Sequence, residues 1–241
     1  IFGGILASLA FLGFLFIAGF YDSGIGLSAF GIIFIAASVW LSNLYNKIII
    51  DTLSVSSFFI GFLFLGVGSV QLDFNEDLIS ILFLLIALGV LAMSRNYILC
   101  FVSVLIVNGS ILALIISNDG YDFIHIYVSA LALILTYLLL KEAKIITSVK
   151  RLSHLYNPVR IGMTFSFLAG LALLGIKGML PLSREFIWLS SLVIISIIAY
   201  LVSLLFKDLD ITEKRTKITI YGITLLTLLP TAPSPAAAAR R

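Results

Sequence analysis

The chain has 241 residues and a formal net charge of +3, with 61% hydrophobic and 11% charged residues, and its mean hydropathy is +1.19. A soluble domain carries about 25% charged and about 45–50% apolar residues, so this composition excludes a water-soluble globular domain and fits lipid as solvent. The few basic residues fall in short turns between apolar runs, which excludes a nucleic-acid footprint and makes their position more informative than their sum.

A helix crossing about 30 Å of hydrocarbon needs roughly 20 apolar residues. In chain order the apolar segments are Ile1–Phe20, Gly24–Leu41, Ile48–Val70, Leu78–Met93, Tyr97–Ser117, Asp122–Leu140, Ile161–Leu180, Phe186–Phe206 and Ile218–Leu229. They are continuously apolar rather than alternating, so the expected fold is an all-α polytopic transmembrane bundle of about eight or nine crossings, each satisfying its backbone internally. Residues 1–229 are expected to form a single transmembrane domain. Pro230–Arg241, PTAPSPAAAARR, changes composition abruptly and reads as a truncation followed by a linker or tag remnant.

The connections after the second, fourth, sixth and eighth segments hold Lys47; Arg95; Lys141, Lys144, Lys150, Arg151 and Arg160; and Lys207, Lys214, Arg215 and Lys217. The connections after the odd segments hold only Lys177 and Arg184, together with Asp22, Asp73, Glu76, Asp77, Asp119, Asp122 and Glu185. Positive charge stays in the cytoplasm. The amino terminus is therefore expected inside and the Asp-rich turns outside.

Lys141–Pro158 is the longest water-facing interruption. Ile145, Val149, Leu152 and Tyr156 recur at helical steps opposite Thr147, Lys150, Arg151 and His154. The pattern predicts an amphipathic helix over about 141–158 in the cytoplasmic interface, its apolar side toward lipid and Lys144, Lys150 and Arg151 toward headgroups. Pro158 is expected to end it and start the next crossing.

Ionisable groups within the segments are scarce. Asp51 stands near the cytoplasmic end of the third segment, four residues after Lys47; it reads either as an interfacial ion pair or as an ion or proton contact. Asp122 and His125 stand one turn apart at the outer end of the sixth and read as wetted interface groups or as a pH-sensitive pair. Asn108, in Val107-Asn108-Gly109-Ser110, lies mid-segment, where an unpartnered amide is costly. It is expected either to join the fifth and sixth segments or to form, with Ser110, Ser129 and Thr136, one wall of a polar site. Gly162, Ser166 and Gly170, and likewise Ser54, Ser57 and Gly61, read as small-residue packing ridges, whereas Gly24 and Gly26 read as turn residues.

The single cysteine, Cys100, allows no internal disulfide, and two histidines on opposite faces cannot share a metal or haem. No cofactor and no metal ligand is assigned. The partners expected are membrane lipids and a neighbouring membrane protein.

Gly4-Ile5-Leu6-Ala7-Ser8-Leu9-Ala10-Phe11-Leu12-Gly13-Phe14-Leu15, followed by Ser28–Leu41 and by Asp51-Thr52-Leu53-Ser54 through Gly61, resembles the opening of an uncharacterised bacterial polytopic membrane family. Genes of that family neighbour, or are fused to, those of GDYXXLXXL-motif proteins. The resemblance covers roughly the first 70 residues and departs at Asp51, near which that family often carries Gln. It implies a many-helix inner-membrane protein with no defined catalytic residues. The expected role is a non-enzymatic membrane component or subunit. The alternatives are a transporter for a small, weakly polar or lipid-like substrate and an intramembrane enzyme acting on lipid.

Overall fold

In the computed structural model the described residues are 23–44, 48–148, 150–175 and 187–208, with 13, 19, 219, 221 and 222 besides. Most of the first and ninth segments, Lys47 and the Pro230–Arg241 tail lie outside them. The main elements are all helices: α1 (Gly24–Leu44), α2 (Ile48–Gln71), α3 (Glu76–Met93), α4 (Tyr97–Ser117), α5 (Phe123–Leu140), α6 (Glu142–Ser148), α7 (Lys150–Gly175) and α8 (Ile187–Asp208). Six of the described helical stretches are long and apolar enough to cross a membrane, from Gly24–Leu44 to Ser153–Gly175. Long side chains such as Trp40, Leu63, Leu85 and Met93 stay exposed, as lipid-facing groups do when the solvent is hydrocarbon. The protein is thus a multi-pass integral membrane protein, and most helix limits fall within two or three residues of those predicted.

The chain divides into two compact units, Ile1–Asp119 with Lys141–Ser166, and Gly120–Leu140 with Phe167–Arg241. In the first, α1 and α2 form an antiparallel pair whose contact is made by glycines. A Cβ on Gly31 would lie 2.7 Å from the Gly61 carbonyl oxygen, and one on Gly61 would lie 2.7 Å from Ile35 Cγ1. A Cβ on Gly68 would strike Ser28 and the Gly24 carbonyl. Lipid offers no hydrophobic drive between helices, so close backbone approach supplies the van der Waals contact instead. Gly61 therefore acts in a packing ridge, as expected. Gly24 is the first residue of α1, after Ser23, whose Oγ accepts from Gly26 N at 3.1 Å. It packs against Gly68 and Gln71 rather than making a turn.

The core beside this seam comes from α1 to α4: Ile35, Val39, Phe58, Phe62, Leu65, Ala87, Val90, Leu99 and Val102 are buried together. Phe62 meets Phe58 and Phe83 edge-on, at centroid distances of 4.9 and 5.2 Å. The turns after α2 and α4 each place an aspartate, Asp73 and Asp119, at positive φ, a conformation Asp tolerates at a helix end. At that same end Asp77 Oδ1 accepts from Ser117 Oγ and from Asn118 Nδ2, tying the start of α3 to the end of α4.

Pro158 lies inside α7 rather than ending a helix before it. A buried proline is tolerated where neighbouring groups satisfy the freed backbone. Tyr156, expected toward lipid, is 3% exposed. The Arg160 guanidinium lies over its ring at 5.3 Å and pairs with Glu142 at 3.3 Å. A Cβ on Gly162 would lie 2.7 Å from Val104, so this part of α7 seats on α4. In the second unit α5 packs against α8, and Gly170 of α7 faces Val128 and Tyr127.

Candidate functional site

One end of the first unit gathers polar side chains from four separate parts of the chain. The end of α1 supplies Ser42 and Asn43. The first turn of α2 supplies Asp51. The α3–α4 turn and the start of α4 supply Arg95, Asn96, Tyr97 and Ile98, and α7 supplies His154. Together they line a cleft of about 440 Å³, within the usual range for a small-ligand site.

The cleft is held by a short network. Asn96 precedes α4 with extended backbone, and its Oδ1 accepts from Ile98 N and Leu99 N, the standard way a side chain satisfies the open amides of a helix start. Its Nδ2 is left to donate across the cleft to Asp51 Oδ1 at 2.9 Å. Asn43 works in the same bifunctional way: Nδ2 donates to Met93 O at 3.1 Å and Oδ1 accepts from Arg95 N at 3.0 Å. His154 Nε2 contacts the Arg95 carbonyl oxygen. The α3–α4 turn is therefore clamped from α1 by Asn43, from α2 by Asp51 and from α7 by His154.

On the side of the turn those contacts use backbone and amide groups. The Arg95 guanidinium, on an exposed residue, makes no hydrogen bond or ion pair among the described residues. The ion pair among them is Arg160 with Glu142, so Arg95 and Asp51 line one cleft without joining. Tyr97 and Ile98 are exposed on its rim, and Trp40 stands one turn before Leu44 with 66% of its surface free. The arrangement offers a cation, a half-engaged carboxylate, an imidazole and an apolar edge within one concavity.

The residues singled out by sequence are scattered differently. Asp51 belongs to this cleft, though beside Asn96; its anticipated partner Lys47 lies outside the described residues. Asn108 is buried in the first unit, where Nδ2 donates to Val104 O at 2.8 Å and contacts Met163 Sδ at 3.8 Å. Ser110 is buried on the same helix. Ser129 is buried on α5, and Thr136 Oγ1 returns to Ala132 O at 2.8 Å; both belong to the second unit. Asp122 O accepts from His125 N at 3.2 Å. The His125 ring is buried and its Nδ1 has no partner among the described residues. Lys144 is exposed on α6, while the side chains of Lys150 and Arg151 lie outside the described set. Among the described residues no three His, Cys, Asp or Glu side chains converge as metal ligands.

Asn43, Arg95, Asn96 and His154 are the site residues that sequence reasoning passed over. Their one shared signal was position: all stand at segment ends on the basic side. Amides flanking apolar runs are common caps, and only the packing shows that these face one another.

Curated proteins and solved structures yield no match to the chain. A family model described as Domain of unknown function (DUF4401) matches residues 1–239.

Proposed function

We propose that the chain, which belongs to the DUF4401 family of domains of unknown function, is a non-enzymatic component of the bacterial cytoplasmic membrane that works by binding at its cytoplasmic face. The observation that carries this reading is the cleft of Asp51, Arg95, Asn96 and His154, where polar groups from several parts of the chain meet and the Arg95 guanidinium has no partner among the described residues.

Asn43, Arg95 and His154 stand in the connections and segment ends that hold most of the basic residues, and positive charge favours the cytoplasmic side. That supports an inside amino terminus and a cytoplasmic cleft. Serine, threonine and asparagine groups within the spans mostly bond back to their own helices, as Ser38, Ser69 and Asn108 do, which supports a packing role for them over a polar translocation path. Lipids and a neighbouring membrane protein are the partners. The resemblance noted above makes a GDYXXLXXL-motif protein the first to test.

The test is a topology reporter fused after Asp22 or after Lys47, combined with co-purification in mild detergent. An outside signal at Asp22, an inside signal at Lys47 and a retained membrane partner are expected. The reverse pair of signals overturns the orientation, and solitary behaviour with every co-expressed candidate overturns the subunit role.

A further inference from the structure

We infer that the cleft binds a zwitterion made of a phosphate ester and a primary ammonium, the chemistry of an ethanolamine phospholipid headgroup. The inference rests on the reading of this cleft as the protein's binding surface.

Charge placement comes first. Arg95 and Asp51 line the same 440 Å³ concavity, yet they form no ion pair with each other, and Arg95 has no acceptor among the described residues. Asp51 has one oxygen held by Asn96, which orients the carboxylate, and no ion pair holds it among the described residues. A ligand with one charge would answer one residue and leave the other facing it unfavourably. A ligand with both charges, separated by a short linker, answers both.

The choice of groups follows from the donors. A guanidinium presents several N–H donors in a planar fork that matches phosphate oxygens. A carboxylate accepts N–H bonds from a primary ammonium, whereas a quaternary ammonium has none to give.

The choice of a lipid source follows from depth. The cleft sits where the membrane-crossing stretches ending at Leu44 and Met93 and starting at Ile50 and Tyr97 come together, which is headgroup level. Tyr97 and Ile98 line it and are exposed, giving acyl chains an apolar surface and an aromatic ring its preferred interfacial position.

The purified full chain is offered dioleoyl phosphatidylethanolamine, phosphatidylglycerol and phosphatidylcholine at equal concentration, and retained lipid is read by native mass spectrometry. Phosphatidylethanolamine is expected to dominate. Arg95→Gln, which removes a side chain with no partner among the described residues, is expected to lower retention of phosphatidylethanolamine about fivefold, the size of one partly exposed charge pair. Asp51→Asn keeps the acceptor for Asn96 and is expected to abolish the preference over phosphatidylcholine. Asp119→Asn, at the opposite end of the unit, should change nothing. Displacement of the lipid by O-phosphoethanolamine would identify the soluble headgroup as a sufficient ligand of the same chemistry, and failure to displace would assign the intact lipid. Equal retention of the three lipids by the unmodified protein overturns the inference. So does an unchanged preference in both cleft variants, or an equal loss in Asp119→Asn. Because the readout is independent of the topology reporter, an outside-facing cleft overturns the proposed orientation alone, and absent lipid preference overturns the headgroup assignment alone.

Discussion

Asn96 joins two helices with one side chain: its Oδ1 caps α4 at Ile98 and Leu99, and its Nδ2 reaches Asp51 on α2 at 2.9 Å. The two residues are 45 positions apart. A cap that also cross-links explains how a turn of few residues, Ser94 to Asn96, is rigid enough to form one wall of a cleft.

Asn96→Ala removes both functions. A lost cap costs about 1 kcal/mol and a lost partly buried hydrogen bond to a charged group a similar amount, so a fall of about 2 kcal/mol is expected in reversible unfolding in mixed micelles. Asn96→Asp keeps the capping oxygen but sets a second carboxylate against Asp51. It should fall between the two proteins at low salt and move toward the unmodified one as salt screens the repulsion.

The α1–α2 seam gives a sharper contrast. Gly31→Ala would place its methyl 2.7 Å from the Gly61 carbonyl and from Leu65 N, both backbone and unable to step aside. A loss of about 1–3 kcal/mol is expected from this overpacking. Gly89→Ala meets nothing within 4 Å and should be neutral or gain up to about 1 kcal/mol from helix propensity. Equal melting of the two variants would show that the seam does not hold the pair.

Asn108→Leu tests the buried amide. It removes the bond to Val104 O and the contact with Met163, and a loss of about 0.6–2 kcal/mol is expected from polar contacts in lipid. Lipid retention at the cleft should be unaffected. If the variant unfolds like the parent, Asn108 does not act as glue between α4 and α7.

Arg160 and Glu142 lend themselves to a double-mutant cycle. Their side chains are 31% and 42% exposed, so solvent screens the pair and a coupling of about 0.5–1 kcal/mol is expected. Arg160→Ala should cost more than Glu142→Ala, because it also uncovers the Tyr156 ring. Equal single effects would remove the stacking contribution.

Legibility in the sequence followed the range of the physics. Tyr97–Ser117 was readable to the residue because a continuous apolar run bounded by polar residues is a local signal. The stretch around Pro158 was misread because a proline is a local helix breaker, whereas its tolerance here depends on burial against other helices. Tyr156 was placed toward lipid by periodicity; in the fold it is buried, with Arg160, four residues on, over its ring. Asp51 was noticed for its charge, but its hydrogen bond to Asn96, 45 positions on, was not anticipated.

The sequence by itself determined that this chain crosses a membrane many times and where most crossings begin and end, since hydrocarbon thickness and internal backbone bonding act on each segment separately. Only the tertiary structure decided that Asn43, Asp51, Arg95, Asn96 and His154 share one cleft. That grouping depends on how far each helix is rotated and how closely glycines such as Gly31 and Gly61 let neighbours approach, and such distances are set by packing between segments far apart in the chain.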